Sequence, residues 1–185
     1  MPLTLVLESG AGVVGANSYA SSAEGDDYHL GHLYATVWTA ASSASKAAAL
    51  VMATRLIDAC WAFGGKRVAD DQALQWPRYE CPDPDSNADV IPTQAVPRTG
   101  FFASDDLPKV LVAATCELAR CLLVEDLVAS DIGDGVAAIR FAGTLSLDFK
   151  PGYRPSLLPP LVRSLLQKVG AAANVAAGAV KLQRC

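Results

Sequence analysis

The sequence predicts a mainly α fold, a small helical bundle around a central helix at about residues 107–128. A β-hairpin at about 136–149, a long proline-rich loop and extended terminal arms complete the prediction. Apolar positions cover most of the central helix's circumference, which indicates burial on nearly all sides. Alternating apolar and polar residues predict the hairpin, and prolines without periodicity predict the loop. We expect an arm at 1–15, a helical domain with the hairpin at 16–169, and a second arm at 170–185.

The first arm begins with residues 2–7, a short apolar run typical of a β-strand that must pair with another segment. Gly10, Gly12 and Gly15 interrupt the run with nearly the spacing of a dinucleotide-binding fingerprint. That motif needs a helix directly afterwards, and the Asn-Ser pair at 17–18 interrupts the chain there. We therefore do not predict a nucleotide site.

Three further helices surround the central one in this prediction. The first covers about 22–35, after a serine cap and with acidic residues near its positive end. The second covers about 44–63 and ends at the glycine pair 64–65. The last covers about 158–169, where apolar residues recur at helical spacing. The central helix itself is expected to be capped by one of two adjacent aspartates, Asp105 or Asp106.

The long loop, residues 66–104, is rich in proline and aspartate. Loops of this length inside a compact domain are usually functional or bound to a partner. Trp76 and Ile91 are expected to attach the loop to the core. Phe101 and Phe102 form an aromatic pair that either packs on its own domain or anchors an interface.

Composition favours some classes of protein and disfavours others. Hydrophobic residues make up 51% of the chain and charged residues 18%, a balance that favours surface buried against other copies. The formal net charge of −4 disfavours a nucleic-acid binder, because counterion release needs clustered cations. Lysines and arginines of the loop are interspersed with aspartates; they are Lys66, Arg67, Arg78 and Arg98.

Targeting and redox signals are weak. No apolar run reaches the roughly 18 residues of a membrane span, and no secretory signal is expected. The five cysteines lack CxxC spacing, which favours a reduced, cytosolic compartment over a disulfide scaffold.

The sequence holds no established catalytic motif, and we predict no enzyme, no cofactor and no metal site. His29 and His32 either form a metal or acid–base pair with nearby aspartates or are ordinary surface histidines. The aspartates near them are Asp26 and Asp27. Other aspartates either bind metal or act as turn formers and helix caps; they are Asp70, Asp71, Asp83, Asp85, Asp89, Asp105 and Asp106.

Four segments carry a resemblance to a known family. They are Ala-Asn-Ser-Tyr at 16–19, Gln-Ala-Leu-Gln-Trp-Pro-Arg at 72–78, the Ile-Pro and Pro-Arg pairs within 91–98, and Ala-Thr-Cys-Glu-Leu-Ala at 114–119. Over about 16–169 the chain resembles a phage family labelled DnaT-like single-stranded DNA-binding protein. That family is similar in layout to the head–tail connector adaptors of tailed phages. The insertion at 99–108 departs from the family pattern and leaves the role of the two phenylalanines open.

The adaptor resemblance implies a structural protein of the virion neck, assembled in the host cytoplasm. It implies a dodecameric homo-oligomeric ring that joins the portal protein to tail or neck proteins, without a membrane partner. DNA would then be only the genome passing through the channel. The alternative is a single-stranded DNA-binding protein of the replication type.

The resemblance also implies site residues. The second arm would dock on the portal through Val175, Val180, Lys181, Leu182 and Arg184. The first strand, the hairpin and the loop would supply interface residues, with Leu5, Leu7, Phe101, Phe102, Phe141 and Leu147 as candidates. Residues facing the channel or the tail partner would be Asp131, Asp134 and Asp148, for which the alternative is a role in turns.

Overall fold

The computed structural model describes residues 3–86, 100–129, 136–141, 145–149 and 156–173 of the chain. The helices are α1 (Ser22–Leu30), α2 (Thr36–Ala40), α3 (Ser43–Cys60), α4 (Lys109–Leu122) and α5 (Pro160–Leu166). The strands are β1 (Trp61–Phe63), β2 (Lys66–Arg67), β3 (Arg78–Tyr79), β4 (Val136–Phe141), β5 (Leu145–Phe149) and β6 (Gly170–Ala172). Within these ranges the fold is mixed, because the five helices stand beside three two-stranded sheets. The mainly α prediction is therefore confirmed only in part.

The core lies where α3 packs on α4, with α1 and α5 also against α4. The predicted central helix is confirmed as a core element, but it ends at Leu122. Beyond it the Asp126 carboxylate accepts the Val128 N–H at 3.0 Å, and this local bond stabilises a turn in place of further helix. The largest fully buried side chains include Trp38, Trp76, Tyr19, Leu50, Ile57, Leu111, Leu118 and Leu166.

The first predicted helix is two helices in the structure. α1 ends at Leu30 and α2 begins only at Thr36, so the predicted range 22–35 is wrong in its second half. The start is confirmed, because Ser21 caps α1 in a reciprocal pair with Glu24. The Glu24 carboxylate accepts the Ser21 N–H at 2.7 Å.

The end of α3 and the start of the C-terminal arm both differ from the predicted boundaries. The helix ends at Cys60, because residues 61–63 form β1, whose aromatic residues suit a strand. β1 pairs antiparallel with β6, so residues 170–172 belong to a sheet rather than to an arm. The Ala173 N–H extends the pairing by donating to the Cys60 carbonyl at 2.9 Å. The rest of the predicted arm, residues 174–185, lies outside the described residues.

The N-terminal segment forms its backbone hydrogen bonds within its own chain and does not need a second chain to satisfy them. In the described part of the run there is only a parallel bridge between Leu7 and Ser18 where a strand was predicted. The Asn17 side chain accepts the Val6 N–H at 2.8 Å and donates to the Thr4 carbonyl at 2.9 Å. These bonds satisfy the backbone that an isolated strand would leave open.

The glycine run that follows binds an anion of its own. The fully buried Glu8 carboxylate accepts the N–H groups of Gly10, Gly12 and Val13, each at 2.9 Å. A glycine-rich loop that resembles a phosphate cradle therefore encloses a glutamate.

The predicted hairpin is confirmed, since β4 and β5 are antiparallel with Ile139 opposite Leu147. The residues that join the two strands, 142–144, lie outside the described residues. The last helix is shorter than the predicted 158–169, because two prolines fix its start and the Val169 N–H closes a turn on the Leu166 carbonyl at 2.9 Å. None of the helices in the described ranges has the length and apolar content to cross a membrane.

Gly25 lies in α1 directly against the Trp38 ring. A Cβ atom at Gly25 would lie 2.4 Å from the Cζ2 atom of Trp38. We expect Gly25→Ala to lower the free energy of unfolding by about 1–3 kcal/mol through overpacking, as measured by urea denaturation. Gly31→Ala is the matched control, because no atom of the described residues lies within 4 Å of its Cβ position. Wild-type stability of Gly25→Ala would contradict the packing.

Candidate functional site

β2 and β3 form a two-stranded ribbon that presents an aromatic ring and two cations to solvent. Lys66 pairs with Tyr79, and Arg67 pairs with Arg78. Lys66, Arg67 and Tyr79 are all exposed, and the Tyr79 side chain is 57% accessible. Directly opposed residues of a ribbon project to the same face. The side chains of Lys66 and Tyr79 therefore project from the same face of the ribbon.

The buried side chain of Arg78 anchors the ribbon. Its Nε donates to the Gly64 carbonyl at 2.6 Å, its Nη2 to the Gly65 carbonyl at 2.8 Å and its Nη1 to the Gln75 carbonyl at 3.0 Å. Burial lowers the pKa of Arg78, yet an arginine stays charged at neutral pH. Charge-assisted bonds to both sides of the ribbon hold its two strands in place.

The turn into β2 requires glycine. Gly65 has a φ of +65°, and a Cβ there would lie 2.0 Å from the Tyr79 carbonyl oxygen. The absence of a side chain lets the two strands approach this closely.

The loop that leads into β3 is held by Gln72 and Trp76. The Gln72 Nε2 donates to the Leu74 carbonyl at 2.8 Å and to the Pro77 carbonyl at 3.1 Å. The Trp76 Nε1 donates to the Asp106 carbonyl at 2.8 Å. The Trp76 ring lies edge to face with the Phe63 and Phe102 rings. The prediction that Trp76 attaches the loop to the core is confirmed, whereas Ile91 lies outside the described residues.

A second set of bonds ties this loop to α3. The Tyr19 hydroxyl donates to the Asp58 carboxylate and accepts the Trp76 N–H at 3.1 Å. The other Asp58 oxygen accepts the Gln75 N–H at 3.1 Å. Burial raises the pKa of Tyr19 well above its usual value, and the Asp58 charge adds to this shift. Tyr19 therefore keeps its proton and acts as the donor at neutral pH.

The charges around the ribbon are mixed. Arg55 is exposed on α3, three residues before Asp58, so the two side chains are neighbours on the helix surface. Exposed acidic side chains lie in the same part of the chain; they are Asp70, Asp71 and Glu80. The cationic surface is therefore small.

A separate polar cluster lies between α1 and α4. Glu117, 3% exposed, pairs with Arg120, and the His29 Nε2 lies 3.2 Å from the Cys116 carbonyl oxygen. His32 Nε2 lies 4.0 Å from a Glu117 oxygen. Within the described residues, His29 Nδ1, Glu117 Oε2 and Arg120 Nε have no hydrogen-bond partner. His29 and Glu117 of this cluster are buried, whereas His32 and Arg120 are partly exposed.

His29 differs from the interpretation that both histidines are ordinary surface residues. His29 is 2% exposed and its ring lies 4.9 Å from the Trp38 ring centroid, so the surface interpretation is wrong for it. Across the described part of the chain, no three His, Cys, Asp or Glu side chains are grouped to hold a metal ion. His29 lies on the same face of α1 as the buried Gly25, and its Nε2 reaches the Cys116 carbonyl of α4.

The described loop aspartates act mainly in turns. The Asp83 carboxylate accepts the Asp85 N–H at 3.0 Å, and the Asp106 carboxylate accepts the N–H of the next residue at 2.8 Å. The predicted aspartate cap of α4 is wrong, because Pro108 is its N-cap and makes no side-chain bond. Asp89 lies outside the described residues.

The predicted interface residues fall into three groups. Phe102 is half-buried with its ring 6.1 Å from the Trp76 ring, so it packs on its own domain, whereas Phe101 is 45% exposed beside Pro82. Leu5 and Leu7 are half-buried in the N-terminal segment. Only the strand backbone is described at Phe141, Leu147 and Asp148. Outside the described residues lie Asp131, Asp134, Val175, Val180, Lys181, Leu182 and Arg184.

Sequence reasoning did not select Lys66, Arg67 or Tyr79 as site residues. The available signal was the run at 72–78, because Gln, Trp and Arg side chains close together in one loop can hold that loop in a fixed conformation. A loop that is held in this way also fixes the positions of the exposed residues next to it.

A protein-family model described as "Putative DnaT-like ssDNA binding protein" matches residues 3–185. No curated protein and no solved structure matches the chain. The head-to-tail adaptor interpretation is wrong, because the matching family is described by single-stranded DNA binding and not by virion assembly. The same finding overturns the ring, portal, tail and neck partners and the virion-protein role. The net-charge argument against a nucleic-acid binder also disagrees with the description of that family.

Burial lowers the pKa of His29 below its usual value. The unfolded chain therefore binds a proton more readily than the folded one, and the free energy of unfolding should fall as pH drops through about 6.5. We expect His29→Gln to reduce this fall when urea denaturation at about pH 7.5 and about pH 5.5 is compared. His32→Gln is the histidine control and should show the same fall as the wild type. An unchanged pH dependence in His29→Gln would refute the attribution of this fall to His29.

Proposed function

We propose, because the chain belongs to the family of DnaT-like ssDNA binding proteins, that it binds single-stranded DNA through the ribbon. The observation that supports this site is the exposed Tyr79 ring on the same face of the ribbon as the exposed Lys66. Proteins that hold single strands combine aromatic rings, on which bases stack, with cations that follow the backbone. The ribbon is the place in the described structure where these two groups are neighbours by register.

Each exposed side chain has a distinct role in this proposal. Tyr79 stacks against one unpaired base, and Lys66 pairs with a neighbouring phosphate. Arg67 is a second exposed cation, but it projects with Arg78 to the opposite face of the ribbon, where its Nη2 donates to the Gln72 carbonyl. Arg78 is a positioning residue, since its guanidinium is used by the three carbonyls it binds. Duplex DNA keeps its bases stacked inside, so this surface favours single strands.

The acidic neighbourhood sets the strength of binding. Few phosphates can be neutralised by Lys66 and Arg67, and the exposed acids nearby repel the rest of the strand. For two phosphate contacts the logarithm of the affinity should fall with the logarithm of salt with a slope of about −1.4. Binding is therefore modest and best seen at low ionic strength.

We expect Tyr79→Ala to weaken binding of a fluorescent oligo(dT) of about 16 nucleotides by about 10-fold, which is the loss of one stacked base. Tyr79→Phe is the matched control and should keep the affinity, because the ring alone carries the stacking. Fluorescence anisotropy at low salt measures both variants.

A second variant separates charge from stacking. Lys66→Ala should weaken binding and reduce the salt slope by about 0.7, the contribution of one phosphate on a single strand. The proposal is refuted if the wild-type chain does not bind the oligonucleotide at low salt. It is also refuted if Tyr79→Ala and Lys66→Ala bind as well as the wild type.

A further inference from the structure

A groove of about 690 Å³ lies between the N-terminal segment, α1 and the first turns of α4. Its floor is apolar and includes Leu7, Tyr28, Leu107, Val112, Ala113 and Cys116. Burial raises the pKa of the Cys116 thiol to about 12, so this thiol is uncharged and adds to the apolar floor. Leu7, Val112 and Ala113 are only half-buried, which leaves apolar surface open to solvent.

The rim of the groove is acidic. Glu24, Asp27 and Asp106 line it and are exposed, and Lys109 is the cation among the lining residues. Three carboxylates against one ammonium leave the rim with a net negative charge. An apolar floor inside an acidic rim fits a peptide segment that has aliphatic and cationic side chains.

The C-terminal segment, residues 174–185, has this composition. It reads Asn-Val-Ala-Ala-Gly-Ala-Val-Lys-Leu-Gln-Arg-Cys and contains two cations, Lys181 and Arg184, without an acidic residue. Val180 and Leu182 flank Lys181, so aliphatic and cationic side chains alternate there. The small residues at 176–179 allow the backbone to lie close to a surface.

The segment leaves the described chain at Ala173, whose N–H donates to the Cys60 carbonyl at the end of α3. β6 pairs Gly170 with Phe63, whose ring lies 5.9 Å from the Trp76 ring. Trp76 in turn donates to the carbonyl of Asp106, a residue of the groove rim. The 12 residues after Ala173 can span about 40 Å when extended. That length exceeds the roughly 21 Å of α4, a helix of 14 residues.

We propose that the C-terminal segment binds in the groove of its own molecule, with its aliphatic side chains on the floor and its two cations at the acidic rim. This covers apolar surface that the rest of the described chain leaves open. The lining residues of the groove include none of the ribbon residues. The connection makes the segment an intramolecular ligand at a high effective concentration.

A fluorescent peptide of residues 174–185, carrying Cys185→Ser, tests the proposal by anisotropy. It is titrated with the full chain and with the full chain carrying Lys181→Glu and Arg184→Glu, whose own segment the acidic rim repels. We expect the peptide to bind this double variant at least about 10-fold more tightly than the wild type, because the wild-type segment competes for the groove.

Substitutions in the groove then locate the binding. Added to the double variant, Asp27→Lys or Val112→Arg should weaken peptide binding at least about 5-fold by repelling its cations. Glu125→Lys is the matched control, because it makes the same charge change beyond the other end of α4 and should leave binding unchanged. Circular dichroism confirms that each variant is folded, and the exposed Asp27 is the site least able to disturb the core.

Three results would overturn the proposal. The first is a peptide that does not bind the double variant. The second is equal affinity for the double variant and the wild type, which would assign the groove to a separate partner. The third is equal loss in Asp27→Lys and Glu125→Lys, which would reduce the effect to net charge.

Discussion

The buried Arg78 guanidinium is the constraint on which the proposed site depends. A charged group out of water must keep its hydrogen bonds, because removing a partner leaves an uncompensated charge. Its three carbonyl partners come from the turn before β2 and from the loop before β3, so both strands are tied to one rigid group. Gln72, Trp76 and the Tyr19–Asp58 pair then hold that loop against the helical core.

This arrangement separates residues that build the site from residues that contact a ligand. The builders are buried and hydrogen-bonded, whereas Lys66 and Tyr79 are exposed and held only through the backbone. Because the two strands are already paired, binding orders side chains but does not have to order a loop. A small site can therefore act even on a chain whose formal net charge is −4.

Much of the fold could be predicted because local signals agree with tertiary structure. The periodicity of α4, the alternation of β4 and β5 and the serine cap of α1 each depend on near neighbours in sequence. The pairing of β1 with β6 joins segments about a hundred residues apart, and no local pattern encodes it. For the same reason, the buried position of His29 could not be read from its own helix.

The failed functional interpretation has a physical origin as well. Composition is an average, and it suggested apolar surface and open strand edges that other copies would cover. In the structure the Asn17 side chain forms a hydrogen bond with the N-terminal backbone, and residues 170–172 pair with another strand of the same chain. Net charge is an average of the same kind, and it does not report where individual cations lie. Lys66 and Tyr79 are 13 residues apart in sequence, and only the pairing of β2 with β3 places them opposite each other.

A double-mutant cycle on oligo(dT) affinity tests most directly whether Arg78 acts by holding the ribbon. Arg78→Lys keeps the charge but loses the planar fork that binds three carbonyls. The account predicts that Arg78→Lys weakens DNA binding in the wild-type background and much less in the Tyr79→Ala background, because the ring it positions is then absent. Equal losses in the two backgrounds would contradict it.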